Sequence, residues 1–184
     1  SYKLDAAKLI VTIDTDLLGT YLAPTAAQRQ FANGRRAIEG MNKLVAFESH
    51  YSLTGGNADV RVKIKPSEQV AVVMGLAHEI IVKNKATSFA GNATVAKALE
   101  PYANVASQIG VPADLWSRLA QDLVKNKGQS LIAAGGLTTA TSESLSLQIA
   151  VNFLNSALEN EGKTVDAGAA HSGLTSRVDQ LEKL

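Results

Sequence analysis

The sequence predicts an α/β fold in three layers: a largely parallel sheet with helices on both faces. Three observations predict it. Short β-branched apolar runs recur along the chain, stretches of helical period separate them, and Gly or Pro marks the junctions. Residues 8–14 (KLIVTID), a short apolar β-branched run ending in an acid, and the similar run 43–48 (KLVAFE) read as buried strands. Residues 60–65 (VRVKIK) alternate apolar and basic with period two, which predicts an edge strand with one wet face. Residues 129–134 (QSLIAA) form a fourth strand that runs into Gly135-Gly136 and a Thr/Ser-rich loop.

Between the strands the period changes. Pro66 stops the third strand, and Ser67 is placed to cap a helix to about Val82 with Val70, Val73, Met74, Ala77, Ile80 and Ile81 inward. Pro112 precedes a helix over 113–127, with Leu115, Leu119 and Leu123 on one stripe, Trp116 beside them and Gly128 as the stop. The strongest pattern is 142–160: Ser142 or Ser144 caps it, Leu145, Ile149, Phe153, Leu154, Ala157 and Leu158 point inward, and Gly162 follows its end. Weaker helices occupy 25–39 and 93–108, the second broken at Pro101, and 83–92 and 165–175 are polar connections. Strand–helix–strand alternation implies crossovers of the Rossmann type, in which ligands collect at the carboxyl ends of strands where strand order reverses. That directs attention to 14–20, 48–59 and 135–142.

Composition narrows the function classes. The chain has 184 residues, 46% hydrophobic and 19% charged, with a formal charge of +1. This suits one domain over 1–166 followed by a polar connection and the start of a truncated helix over 167–184. A near-neutral chain without a basic stripe is not a phosphate-driven nucleic-acid binder. With no Cys it has neither a disulfide nor thiolates for an iron–sulfur cluster, and no apolar run approaches the ~18–20 residues that span a bilayer, so direct membrane insertion is not expected. Ser1 in place of Met suggests a processed or excerpted chain.

The candidate site residues are Asp14, Glu48, Ser52, Thr54, Asp59, Gly135 and Gly136. Asp14 and Asp16, two apart on extended backbone, would point to one side and suit a cation or a ribose hydroxyl; capping the next turn is the competing use. The stretch from Glu48 to Asp59 is the densest in hydrogen-bonding groups, and its Gly, Ser and Thr suit close approach of a phosphate or sugar, or simply a polar loop. Gly135-Gly136, after a strand and before a helix, resembles an anion-binding turn, though a tight turn explains it as well. His50, His78 and His171 are isolated, so no metal site is expected. Without a Gly-x-Ser-x-Gly elbow no acyl-transfer nucleophile is indicated, and no catalytic residue is assigned.

The stretches AAKLIVTIDTDLLGT, LVAFESHYSLTGGNADVRVKIKPSEQVAVVMGLAHEIIV, VPADLWSRLAQDLV and GQSLIAAGGLTTATSESLSLQIAVNFLNSALENEGKTVD resemble the central αβ region of the molybdopterin oxidoreductase family over most of residues 6–166. Ala58-Asp59, Lys65-Pro66 and Leu76-Ala77-His78 stand where that family places Ala-Asp, Arg-Pro-Gly and Leu-Ala-His. The family's acid-Pro-Arg turn is Glu48-Ser49-His50 here, and Asp14-Thr15-Asp16 replaces its Gly/Asn-Pro turn. IDTDLLGTYLAP, FESHYSLTGGNADVR and SALENEGKTVD resemble one branch most: the molybdopterin-like part of the large iron–sulfur subunit of alternative complex III, a quinol:electron acceptor oxidoreductase.

The resemblance implies a cofactor-free structural and interaction domain, with iron–sulfur clusters in a separate Cys-rich part of the parent oxidoreductase subunit. Its partners would be the parent's other domains and the other subunits of a membrane-associated redox complex on the periplasmic side of a bacterial inner membrane. The alternative it implies is the pterin-dinucleotide-binding domain of a true molybdopterin oxidoreductase.

Overall fold

The computed structural model describes residues 1–36 and 40–168. The segment 169–184, with His171 and most of the truncated helix expected there, lies outside the described residues, as do the last positions of the helix expected over 25–39.

Four parallel strands form the sheet: β1 (Leu9–Ile13), β2 (Lys43–Glu48), β3 (Val60–Lys63) and β4 (Ser130–Ala134), in spatial order β3-β2-β1-β4. Burial along each strand follows the sequence pattern. β1 and β4 are buried at every position and β2 at all but Lys43, whereas β3 alternates half-buried valines with exposed Arg61 and Lys63, as expected at an edge. In register, Val11 lies between Val45 and Ile132, and Phe47 faces Val62. The chain steps outward from β1 to β3, then crosses back to place β4 on the other side of β1. The reversal of strand order therefore falls between β1 and β4.

The two faces are covered unequally. One carries most of the core: Val11, Ile13, Val45, Phe47 and Ile132 pack under α3 (Gln69–Ala77), α6 (Ala113–Lys125) and α7 (Ser144–Ala157), with the short α4 (Ala93–Leu99) and α5 (Val105–Gln108) at its margin. The other face buries Ile10, Leu44, Leu131 and Ala133 beneath Leu4, Leu17, Leu18 and Phe31 of α1 (Pro24–Gly34). The remaining helix, α2 (Leu53–Gly56), is a single turn inside what the sequence reads as a polar loop.

Several local expectations are corrected. Ser67 does not cap α3: Pro66–Glu68 form a 3-10 turn, Glu68 Oε2 accepts the Lys65 N–H at 2.8 Å at the start of that turn, and α3 follows without a side-chain cap. Beyond Ala77 the helix widens into a π turn over His78–Lys83. Pro101 breaks the 93–108 stretch as expected, into α4, a 3-10 turn and α5. α7 begins after Glu143 without a side-chain cap and is rotated from the expected face. Leu147, Ala150, Val151, Leu154 and Ala157 are buried, while Leu145 is 71% and Ile149 61% exposed. The reason is Asn155. It must face β4, where its amide accepts from Ile132 N–H at 3.1 Å and donates to Ile132 C=O at 2.8 Å, and this sets the helix's rotation.

Candidate functional site

The carboxyl ends of β1 and β4, the crevice expected to take a ligand, are joined by the chain's own side chains. The backbone leaves β1 with Asp14 at φ +49°, so the extended geometry expected from Asp14 to Asp16 is absent. The Asp14 carboxylate is fully buried and accepts from Ser49 N–H and Ser49 Oγ at 3.0 Å and from Gln69 Nε2 at 2.7 Å. His50, half exposed, holds Nδ1 3.6 Å from the same carboxylate. Gln69 also donates to the Thr138 carbonyl at 3.0 Å, and Thr138 Oγ1 donates to the Asp14 carbonyl. Thr15 Oγ1 donates to the Gly135 carbonyl at 2.7 Å. Thus β1, β4 and the start of α3 are stitched together above the sheet, and charge-assisted bonds to Asp14 are the strongest of the stitches.

The Asp16 carboxylate does not cap the turn that follows it, whose amides bond the Asp16 backbone carbonyl; it reaches α2 instead. Its Oδ1 accepts Thr54 N–H at 3.0 Å and Thr54 Oγ1 at 2.8 Å, and Thr54 Oγ1 in turn accepts Leu18 N–H at 3.0 Å. Ser52 is the N-cap of α2, accepting Gly55 N–H at 3.0 Å, and donates to Glu48 Oε2 at 2.6 Å. Glu48, 3% exposed, also takes Arg61 Nε, and the Arg61 guanidinium lies 4.9 Å from the centre of the Tyr51 ring. A Cβ on Gly55 would overlap the Glu48 carboxylate, so a side chain there would have to displace that group.

Gly135 (φ +148°) and Gly136 (φ +93°) form the expected turn after β4. The Tyr21 ring lies in the space a Gly135 side chain would fill, so the turn is packed against an aromatic ring. Nor does it open a helix. A 3-10 turn over Leu137–Thr139 intervenes, and α7 starts only at Ser144, which takes its free amides away from the glycines. Beneath Tyr21, burial pushes both phenols upward, Tyr2 far above the usual tyrosine range and Tyr21 less, the charge and hydrogen bond of Tyr21 adding to the effect on Tyr2.

Asp59 belongs elsewhere. It precedes β3, at the amino end of the sheet, and forms a two-pronged pair with Arg35 at 2.9 Å while accepting Leu44 N–H at 2.7 Å. Six of the seven candidates therefore lie at or lead from the strands' carboxyl ends, with Asp59 at the other end. Sequence reading passed over Gln69, Thr15, Thr138 and Tyr21, which close the crevice. Gln69 carried a signal: it is four and seven residues before Val73 and Leu76, a polar group on an apolar helical stripe.

With that geometry established, comparison is informative. No family model and no curated protein matches the sequence. Among 21 matching solved chains is acetylene hydratase from Pelobacter acetylenicus, with TM-score 0.62 and 15% identity over 88% of this chain. The chain therefore shares its fold with a part of acetylene hydratase. The match covers 23% of the acetylene hydratase chain, so this chain corresponds in fold to under a quarter of it.

Proposed function

We propose that this chain is a structural and interaction domain of a molybdopterin-oxidoreductase-like subunit, one that holds neighbouring domains and subunits in place without carrying a pterin itself. The observation that supports it is the closure of the β1/β4 crevice. Asp14, Gln69 and Thr138 satisfy one another there, and the Tyr21 ring fills the space over Gly135. These residues do not fit a pterin dinucleotide. Such a ligand carries phosphates and would need free amides and cations, whereas the groups presented are two carboxylates, Asp14 and Glu48, already turned to internal donors.

In this reading the domain's contribution is positional: a rigid αβ body sets distances between redox groups carried elsewhere. The parent would be the iron–sulfur subunit of a quinol:electron acceptor oxidoreductase complex at the periplasmic face of a bacterial inner membrane, a placement that rests on the sequence resemblance. Among the described residues no helix is long and apolar enough to cross a membrane.

The competing reading, a pterin-dinucleotide-binding domain, draws on the same fold. Two measurements separate them. Elemental analysis of the parent polypeptide purified with its complex is expected to show iron without stoichiometric molybdenum or tungsten. Guanosine diphosphate is expected to leave the melting temperature of this chain unchanged. Molybdenum at one per polypeptide, or a saturable stabilisation by the nucleotide, would establish the competing reading instead.

A further inference from the structure

A cavity of about 330 Å³ opens on the opposite flank of the sheet, between the β2–β3 edge and α6. Its chemistry differs from that of the crevice. Phe47 and Trp116 form the floor with ring centroids 6.1 Å apart, edge to face, and Val60 and Val62 of the edge strand form one wall. The ionised groups lining it are Lys43, Arg118 and Asp122, two cations to one anion. Lys43 is tied to Asp122 at 2.9 Å. Arg118 reaches outward to Asp114 at 2.6 Å, in a pair whose side chains are 67% and 70% exposed. An exposed pair of that kind contributes little and exchanges readily with another anion.

Trp116, 5% exposed, lines the cavity beside Phe47. An apolar ring-sized cavity with an aromatic floor and an arginine held only by an exposed ion pair suits one ligand class.

We propose that this cavity binds a small apolar carboxylate, an aromatic or branched-chain acid, its hydrocarbon part between Trp116 and Val62 and its carboxylate at Arg118. The site is distinct from the β1/β4 crevice and does not depend on the scaffold reading.

Trp116 is the chain's one tryptophan, so its emission reports occupancy directly. Phenylacetate titrated into the 184-residue chain is expected to change that emission saturably, with a dissociation constant on the order of 1 mM for a ligand of about ten non-hydrogen atoms. Phenethylamine, of similar shape and opposite charge, should bind at least about tenfold more weakly. Arg118→Gln should weaken phenylacetate and leave phenylacetamide unaffected. Val62→Phe, which fills the cavity, should abolish binding of both, with Leu115→Phe as the substitute should the first variant fail to fold. The proposal is overturned by the absence of saturable change at millimolar phenylacetate, by equal binding of the amine, or by full binding to a folded cavity-filled variant. The first result would leave the cavity as a seat for another polypeptide.

Discussion

The two flanks of this sheet solve the same problem in opposite ways. Both β3 and β4 are terminal strands, each with backbone groups that no further strand pairs. On the β4 flank these groups are answered from within: Asn155 pairs with Ile132 through both donor and acceptor, Gln148 Nε2 donates to the Ala134 carbonyl at 3.0 Å, and Thr164 Oγ1 donates to the Ser130 carbonyl. On the β3 flank Lys63 faces water, Arg61 turns to Glu48, and a cavity remains beneath the half-buried valines. A buried edge must be satisfied to the last group, because an unpaired amide in an apolar setting costs the full desolvation of that group. A wet edge need only be charged enough to resist unwanted pairing. The contrast locates rigidity at β1/β4 and receptivity at β2/β3.

The largest effect expected from breaking this contrast is at Leu154, fully buried on the inner face of α7. Leu154→Ala should lower stability by about 2–5 kcal/mol in urea denaturation, whereas Leu115→Ala at the half-buried cavity wall should cost about 1 kcal/mol. Equal losses would show that the β3 flank is as tightly packed as the β4 flank. Next is Asn155→Leu, which keeps volume but strands both Ile132 groups: about 2–4 kcal/mol is expected, against a change within about 0.5 kcal/mol for Lys63→Ala at the open edge. Gly135→Ala, forced to hold φ +148° and displace the Tyr21 ring, should cost about 1–3 kcal/mol and raise the accessibility of Tyr21 to iodination.

The smallest effect is electrostatic and belongs to the β3 flank. Burial tends to raise the Asp59 carboxyl, but the hydrogen bonds from Arg35 and Leu44 N–H, with the charges of Arg35 and Lys43, outweigh it and hold the group below its ordinary value of 3.8. A carboxyl depressed on folding adds stability above its unfolded value and loses it as pH falls through the lower folded one. The difference in stability between the parent and Asp59→Asn should therefore be flat from neutrality down to about pH 5 and shrink below about pH 4, as read by thermal melts across that range. A gap that widens on acidification would mean the Arg35–Asp59 pair does not stabilise the fold. Because the Arg35–Asp59 pair is partly exposed, the effect should diminish in high salt.

Much of the architecture was legible because it depends on periodicities that tertiary structure does not alter. The mainly apolar LIVTI and SLIAA runs belong to strands buried on both faces, and the alternation in VRVK is that of an edge. Pro66, Pro101 and Pro112 act at element boundaries, where a missing N–H is least costly. The site was legible only in position. Segments 14–20, 48–59 and 135–142 do meet, but whether their polar groups face a ligand or one another depends on partners tens of residues away. Asp14 is satisfied by Gln69, 55 positions on, and Thr15 by Gly135, 120 positions on. The face of α7 failed for the same reason: a hydrophobicity count placed Leu145 and Ile149 inward, while one amide with two bonds to β4 turned them out.

By itself, then, the sequence determined the class of fold, the strands and the course of the longer helices, and that β3 would be an edge, since these follow from local spacing of apolar side chains and from residues that cannot continue an element. Tertiary structure alone decided that the crevice would be stitched shut, that Asp59 would serve the other end of the sheet, and that a cavity floored by Trp116 would stay open beneath β3. Hydrogen-bond satisfaction and residual volume are properties of groups brought together from distant parts of the chain, and no local pattern encodes which donor a buried acceptor will meet.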